Sequence, residues 1–273
     1  MYEILNNRKI IKIVGLDSVK FLQNLTTNDI NKSNYCYTYL LNNQGRYLFD
    51  FFVYIHNLKE IYIDIDEKSK TALIDHLNFY KLRSKIEIID CKDEYKIAYS
   101  HQELNMDSLV TARDPRYHLL GFRSIILSHS YDSYIGGNLS EKLYLDDKYN
   151  FAIVDGVDDL ASGESIPVIY GAEELNAISY DKGCYVGQEV ISRTKYQGVI
   201  RRKIYKIITE KELSYLVKNE EITTTKNKIG ILCSSYQNKA IALIREEKYL
   251  ANKEEDITVG GIRVDLSLAP WYM

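Results

Sequence analysis

The sequence predicts an α+β protein that ends in an all-β unit, and three observations lead there. Between Lys9 and Leu127, strand-like runs alternate with amphipathic helical ones. After Gly198 the runs are short, strand-like and separated by turn signals. Between these regions, the stretch from Lys182 to Arg193 packs two glycines, a thiol, an amide, carboxylate and guanidinium into a dozen residues that no periodicity explains. The chain has 273 residues, 45% of them hydrophobic, which suffices for a large core and two or three domains.

Taken in order, 9–15 (KIIKIVG) reads as a strand, and Asp17 or Ser18 opens a helix with Val19, Phe21, Leu22 and Leu25 on its apolar face. Thr26-Thr27-Asn28-Asp29 ends that helix. Two strands, 35–41 and 46–55, joined by Asn42-Asn43-Gln44-Gly45, form a hairpin. In the second strand both faces are apolar, so it should be central and buried. Asp50 then sits on a face that ought to be dry, and such a carboxylate needs a partner or a ligand. A strand at 60–65, an amphipathic helix at 67–82, and strands at 85–89, 95–99, 108–112 and 122–127 follow, with Asp114-Pro115-Arg116 as a turn. A helix opened by Ser140 and Glu141 comes next. Beyond Gly198, strands at 199–209, 229–235, 239–245 and 262–268, with turns at Gln237-Asn238 and Gly260-Gly261, suggest a small barrel or sandwich.

Net charge is −3 and the signs alternate along most of the chain, which leaves no global basic field for nucleic acid. Arg201-Arg202-Lys203 is a local basic cluster, read as a solvated strand face or as a phosphate or RNA contact. The 24 tyrosines accompany a chain equally rich in Asn, Lys and Ile, so codon bias accounts for them better than a stacking function. Cys36, Cys91, Cys184 and Cys233 are widely spaced, with no metal-ligand spacing, and no metal site is expected. No apolar run approaches a bilayer crossing, and a reducing, cytoplasmic setting is expected.

From the residues alone, Cys184 reads either as a small buried hydrophobe or as a functional thiol. Gly183 and Gly187 permit unusual backbone conformations, and 188–195 suits a short helix. Its amide end and Lys182 would stabilise a thiolate at Cys184. The run Lys182-Gly183-Cys184-Tyr185-Val186-Gly187-Gln188-Glu189, continuing to Ser192 and Arg193, resembles the signature of the YgfZ-type folate-binding proteins. These are relatives of the glycine-cleavage aminomethyltransferase that serve in iron–sulfur cluster assembly. Three further runs are similar to the same family: Asp17 to Asp29, Gly45-Arg46-Tyr47-Leu48-Phe49-Asp50, and Asp114-Pro115-Arg116 through Leu120-Gly121-Phe122-Arg123, the last read as structural. The glycine-cleavage relatives carry two adjacent acids at the end of the second run. Here the first slot is Phe49, a departure that bears on aminomethyl transfer.

The resemblance implies an aminomethyltransferase-like three-lobed ring: two intertwined α+β lobes plus a C-terminal β-barrel around a central cavity. On that basis 1–197 is a folate-binding α+β region, with an inserted second lobe at about 57–128, and 198–273 is the barrel. It further implies tetrahydrofolate or a one-carbon derivative as ligand. Asp50 or Glu189 would meet the pterin edge, and Tyr185 its flat body. Arg46 and Arg193 would meet the anionic tail, with Asn28 and Gln188 fixing orientation; alternatively, Glu189 pairs with Arg193 across one helical turn. Cys184 and Asp50 carry the chemistry and are expected to face one shared cavity. The function so implied is a folate-binding accessory protein for iron–sulfur cluster assembly or repair, with cluster enzymes (tRNA-modifying ones included) or assembly proteins as partners. The alternative is a folate-dependent aminomethyl or one-carbon transferase.

Overall fold

The computed structural model describes residues 1–104, 107–131, 142–225 and 227–273. In chain order the first elements are β1 (Tyr2–Ile4), β2 (Arg8–Gly15), α1 (Ser18–Gln23), β3 (Tyr35–Leu41), β4 (Tyr47–Asn57), β5 (Glu60–Asp66) and α2 (Glu67–Lys81). Next are β6 (Ile86–Asp90), β7 (Tyr95–Ser100), β8 (Ser108–Arg113), β9 (Phe122–Leu127), α3 (Ser128–Tyr131), α4 (Leu143–Asn150) and α5 (Gly156–Asp159). The chain closes with α6 (Gln188–Tyr196), β10 (Arg202–Ile208), β11 (Glu221–Thr223), β12 (Lys228–Tyr236), β13 (Lys239–Arg245), α7 (Glu246–Ala251), β14 (Thr258–Val259), β15 (Ile262–Arg263) and β16 (Asp265–Leu268). The expected opening of a helix at Ser140 and Glu141 falls outside the described residues; α4 starts at Leu143.

A five-stranded sheet has the order β3-β4-β5-β2-β6. As expected, β4 lies between two partners, and Asp50 on it is 4% exposed. The hairpin turn before β4 is closed by Asn42, whose Oδ1 accepts from the amides of Gln44 and Arg46. Gly45 completes it at φ +68°, where a side chain would be strained. Helix α2 covers this sheet through Leu73 and Leu77. Asp66 caps it by accepting from the Lys68 amide (2.9 Å), and Glu67 and Lys81 complement its dipole at the two ends. Helix α1 does not receive the cap expected from Asp17 or Ser18. Asp17 instead accepts from the Lys85 amide (2.8 Å) and Ser18 donates to the Gly15 carbonyl (2.7 Å), because both side chains are drawn to the adjoining loop.

A four-stranded sheet, β1-β7-β9-β8, takes its edge strand β1 from the start of the chain. The third sheet has seven strands in the order β15-β14-β11-β12-β13-β10-β16. It curls, but β15 and β16 lie at opposite ends of that order with no ladder between them, so the expected closed barrel is an open half-barrel. Closure needs strands long enough to carry a continuous stagger around the ring. Here β14 and β15 are two residues each. One hydrophobic core joins all three sheets, drawing Tyr37 and Phe52 from the first, Ile97 and Tyr99 from the second, and Ile204 and Leu243 from the third. The overall architecture is an α+β fold with a curled, open C-terminal sheet.

Candidate functional site

The loop 182–187 is held from beneath by Lys182. Its side chain is buried, and its ammonium donates to the carbonyls of Gln23 (2.7 Å), Thr26 (2.5 Å) and Asn28 (2.9 Å). These lie at and just beyond the C-terminal end of α1, where orphan carbonyls favour a cation. Burial pulls the Lys182 pKa down to about 8, with Asp29 and Cys36 opposing. The Lys182 charge, which its place in the sequence set beside the thiol, is thus committed to the end of α1. The Lys182 Nζ also lies 5.1 Å from the centre of the buried Tyr185 ring. The same seam is sewn by Thr27, whose hydroxyl donates to the Ala177 carbonyl (2.7 Å), and by Asn28, whose amide donates to Tyr37 and Asn176 carbonyls (2.9 and 2.7 Å).

At its far end the loop turns into α6 through Gly187 at φ +83°. Gly187 packs directly on Gly45: a Cβ on Gly187 would lie 3.0 Å from the Gly45 Cα and 2.6 Å from the Asn42 carbonyl oxygen. The two signature runs, so distant in sequence, are thus pressed backbone to backbone. Pinned at both ends, the loop leaves Cys184 exposed, while Cys36, Cys91 and Cys233 are buried.

Two grooves flank the exposed loop. One, of about 730 Å³, is lined by Asn28, Asp29, Lys32, Tyr35, Asn176, Tyr180, Lys195 and Tyr196, among others. Residues 178–181, which lead into the loop, form part of its wall. Lys195 is paired with Glu173 and lies 4.4 Å from the centre of the Tyr180 ring. The Tyr180 hydroxyl is enclosed and, among the described residues, has no hydrogen-bond partner. The second groove, of about 500 Å³, lies along Asp17, Lys20, Phe21, Tyr80 and Arg83 and is lined on the loop side by Val186.

Asp50 lies elsewhere. Its carboxylate accepts from the hydroxyls of Tyr37 (2.8 Å) and Tyr47 (2.9 Å), and Gly156 presses on it so closely that a Cβ there would lie 2.1 Å from Oδ1. Burial raises the Asp50 pKa from its ordinary value, with Arg8 pulling it down. Around it is a network of buried charges. Asp64 accepts from Arg8 (2.6 Å) and Arg123 (2.7 Å), and Arg116 bridges Asp114 (2.7 Å) to Asp155 (2.5 Å). Lys148 reaches Asp158 (2.7 Å), Asp155 (3.3 Å) and Asp159 (3.4 Å). Burial works to raise the Asp155 pKa, but Lys148 and Arg116 outweigh it and hold the carboxyl well below its ordinary value. The cavity lined by Asp50, Arg8, Arg123 and Asp155 measures about 20 Å³. That is room for about one water molecule. A pterin does not fit there.

The expected convergence of Cys184 and Asp50 on one hollow is therefore not found: among the described cavities, none is lined by both. The carboxylate is sealed by its tyrosines, whereas the thiol looks outward. The other site residues read from the sequence are also dispersed. Asn28 lines the larger groove with its side chain already engaged. Arg46 donates to the Glu164 carbonyl (2.7 Å), and Tyr185 is buried beneath Lys182. Gln188 begins α6, and on the exposed face of that helix Glu189 takes the alternative pairing, with Arg193 (2.6 Å). Sequence reasoning missed Tyr180, Tyr196 and Asn176, which surround the larger groove without belonging to any motif.

A solved structure of similar shape defines the class. The chain superposes on the crystal structure of glycine cleavage system aminomethyltransferase T from Bartonella henselae with a TM-score of 0.74. The match covers 99% of this chain and 85% of that one at 14% identity, so the molecule is aminomethyltransferase-like in fold. A family model described as the C-terminal beta-barrel domain of CAF17 matches residues 201–273. Over 252 residues the chain is 30% identical to the iron–sulfur cluster assembly factor IBA57 homolog, mitochondrial, of Dictyostelium discoideum, covering 75% of this chain and 61% of the relative. The mitochondrial IBA57 of Homo sapiens is 26% identical over 276 residues, covering 89% and 77%. In sequence the chain is similar to the IBA57 iron–sulfur cluster assembly factors, and in fold to the aminomethyltransferase. It spans about six-tenths of the Dictyostelium relative and about half of the Neurospora crassa one.

The names of these relatives overturn the cytoplasmic expectation, since each is designated mitochondrial. The physical reason is plain: free thiols report a reducing compartment, and that chemistry does not distinguish one such compartment from another. No helix among the described residues is long and apolar enough to cross a membrane.

Proposed function

We propose that this protein is an accessory factor for iron–sulfur cluster assembly that offers Cys184 to a cluster carried by a partner protein, with a reduced folate held in the groove beside Asn28. The single observation that carries the reading is the placement of the thiol: exposed on a loop that Lys182 and Gly187 pin at its two ends. A soft thiolate is a natural ligand for iron–sulfur clusters. Among the described residues no three His, Cys, Asp or Glu side chains are grouped to hold a metal ion. A cluster meeting Cys184 therefore keeps its other ligands on its carrier, which suits transfer or repair and not storage. Clients of such a factor are cluster-bearing enzymes, tRNA-modifying ones included, and the compartment is that of the mitochondrial relatives.

Support for folate in the groove is its size, within the usual range for small-molecule sites, and the unpartnered Tyr180 hydroxyl in its wall. Tyr180 and Tyr196 would flank a flat ring, Asp29 could accept from a pterin edge, and Lys32 is placed for an anionic tail. A bound reduced folate would supply one-carbon chemistry. The transferase alternative has less support, because Asp50 is sealed by two tyrosine hydroxyls in a cavity too small for the ring.

Calorimetric titration with tetrahydrofolate tests the folate part, alongside transfer of a cluster from a scaffold protein to an apo-enzyme. Tyr180→Phe is expected to weaken folate about 3- to 10-fold, the worth of one hydrogen bond. Cys184→Ala should leave folate affinity unchanged and abolish the effect on cluster transfer. Loss of folate binding in Asp50→Asn, with Tyr180→Phe unaffected, would move the ligand to the interior and overturn this reading.

A further inference from the structure

The basic run at 201–203 takes no part in the site above, yet the curled sheet gives it a specific arrangement. Strands β10 and β13 are antiparallel, and Arg202 lies directly opposite Arg245. Like charges in that position repel. Their neighbours are neutralised: Lys203 pairs with Glu246 (3.0 Å) and Lys228 with Glu221 (2.7 Å). Among the described residues, neither Arg202 nor Arg245 has a carboxylate partner.

Both arginines line a cleft of about 110 Å³ together with Lys228, Gly230, Ile231 and Leu243. No acid lines it. Gly230 contributes backbone to the lining, and a Cβ there would point to the other face of the sheet, 2.5 Å from Ile244 Cδ1 and 2.6 Å from the Leu243 carbonyl oxygen. Two guanidinium forks and an ammonium therefore border a small concavity with apolar Ile231 and Leu243 beside them.

We propose that this cleft is an oxyanion site that takes a single phosphate group, either inorganic phosphate or the terminal phosphoryl group of a small phosphomonoester. Guanidinium matches the oxygens of such a group bidentately, and the anion would convert the repulsion between Arg202 and Arg245 into two charge-assisted contacts. The cleft has roughly a third of the volume at the lower end for drug-sized sites, which limits it to one tetrahedral group. A nucleic-acid backbone would instead need a track of such cations. The two nearby acids remain engaged with their own lysines and leave the cleft positive.

The test is calorimetry with inorganic phosphate, and thermal melting in phosphate against chloride at equal ionic strength. It uses the full chain, Arg202→Gln, Arg245→Gln and the control Lys68→Gln on helix α2, which borders neither the cleft nor the grooves. Expected is saturable one-to-one binding that weakens at least 10-fold in each arginine variant and is unchanged in the control. Phosphate should raise the melting temperature of the wild type and leave those of the arginine variants unmoved. In chloride the arginine variants should melt at or above the wild type, because the facing charges are gone. Competition by glycerol phosphate would assign the phosphomonoester, and its absence the free anion. A phosphate response without saturation, or equal in all variants, would overturn the site. So would tight binding of an RNA oligonucleotide with no saturation by phosphate.

Discussion

Gly183 and Gly187 stand four residues apart in one signature, and substituting each with alanine should give opposite results. At Gly187 the backbone is left-handed, at φ +83°, and an added Cβ would come within 2.6 Å of the Asn42 carbonyl oxygen and 3.0 Å of the Gly45 Cα. The conformation costs a side chain about 1–2 kcal/mol. Overpacking against backbone that cannot swing aside adds about 1–3 kcal/mol. Gly187→Ala should therefore lose about 2–5 kcal/mol, which for a chain of this length lowers the melting temperature by about 4–9 °C. A Cβ added at Gly183 would meet nothing within 4 Å, and the backbone φ there is not positive. Its alanine variant should stay within about 0.5 kcal/mol of the wild type, as exposed substitutions do. Urea denaturation followed by circular dichroism, with thermal melts beside it, measures both. If Gly183→Ala is as destabilised as Gly187→Ala, the claim that the loop is anchored at Gly187 and free at Gly183 is wrong.

Three other outcomes follow from the same geometry. A chromogenic disulfide reagent should titrate one thiol in the native protein and four in denaturant, with the fast one lost in Cys184→Ala; burial pushes Cys36 up to about 12 and Cys91 up to about 11, and Cys233 higher than its ordinary value. Lys182 has a folded-state pKa depressed from 10.5 to about 8, so the unfolded chain binds more protons between those values. Wild-type stability relative to Lys182→Met should accordingly rise as pH goes from 8 to 10.5, measured by denaturation at each pH. Arg116→Met should cost about 3–5 kcal/mol, because it leaves Asp114 and part of Asp155 buried without their partner; a change under about 1 kcal/mol would show that water replaces the guanidinium.

Much of the fold was legible because its signals are local. Apolar residues on both faces of 46–55 marked a buried central strand, and Gln237-Asn238 and Gly260-Gly261 marked turns where positive φ angles occur at Gln237, Gly260 and Gly261. Helix α6 fell where the composition after Gly187 placed it. What stayed hidden depends on partners brought together by the fold. Lys182 sits two residues from Cys184, and proximity in sequence suggested a charge beside the thiol; three carbonyls more than 150 residues away claim it instead. Asp50 was rightly placed on a dry face, but nothing local announces that Tyr37, Tyr47 and Gly156 close around it. The groove wall at Tyr180 and Tyr196 was missed because two tyrosines among 24 carry no distinguishing pattern. Barrel closure, finally, turns on strand lengths of two residues, below what turn signals resolve.

The tether from Lys182 to the end of α1 also sets an order of events during synthesis. Helix α1 emerges early, yet the ammonium that completes its C-terminal end lies about 155 residues later in the chain. Until that lysine docks, neither the helix terminus nor the segment bearing Cys184 has its final form. A nascent or truncated polypeptide thus lacks the brace that fixes this loop, and Cys184 takes its exposed place only once the chain has grown past it.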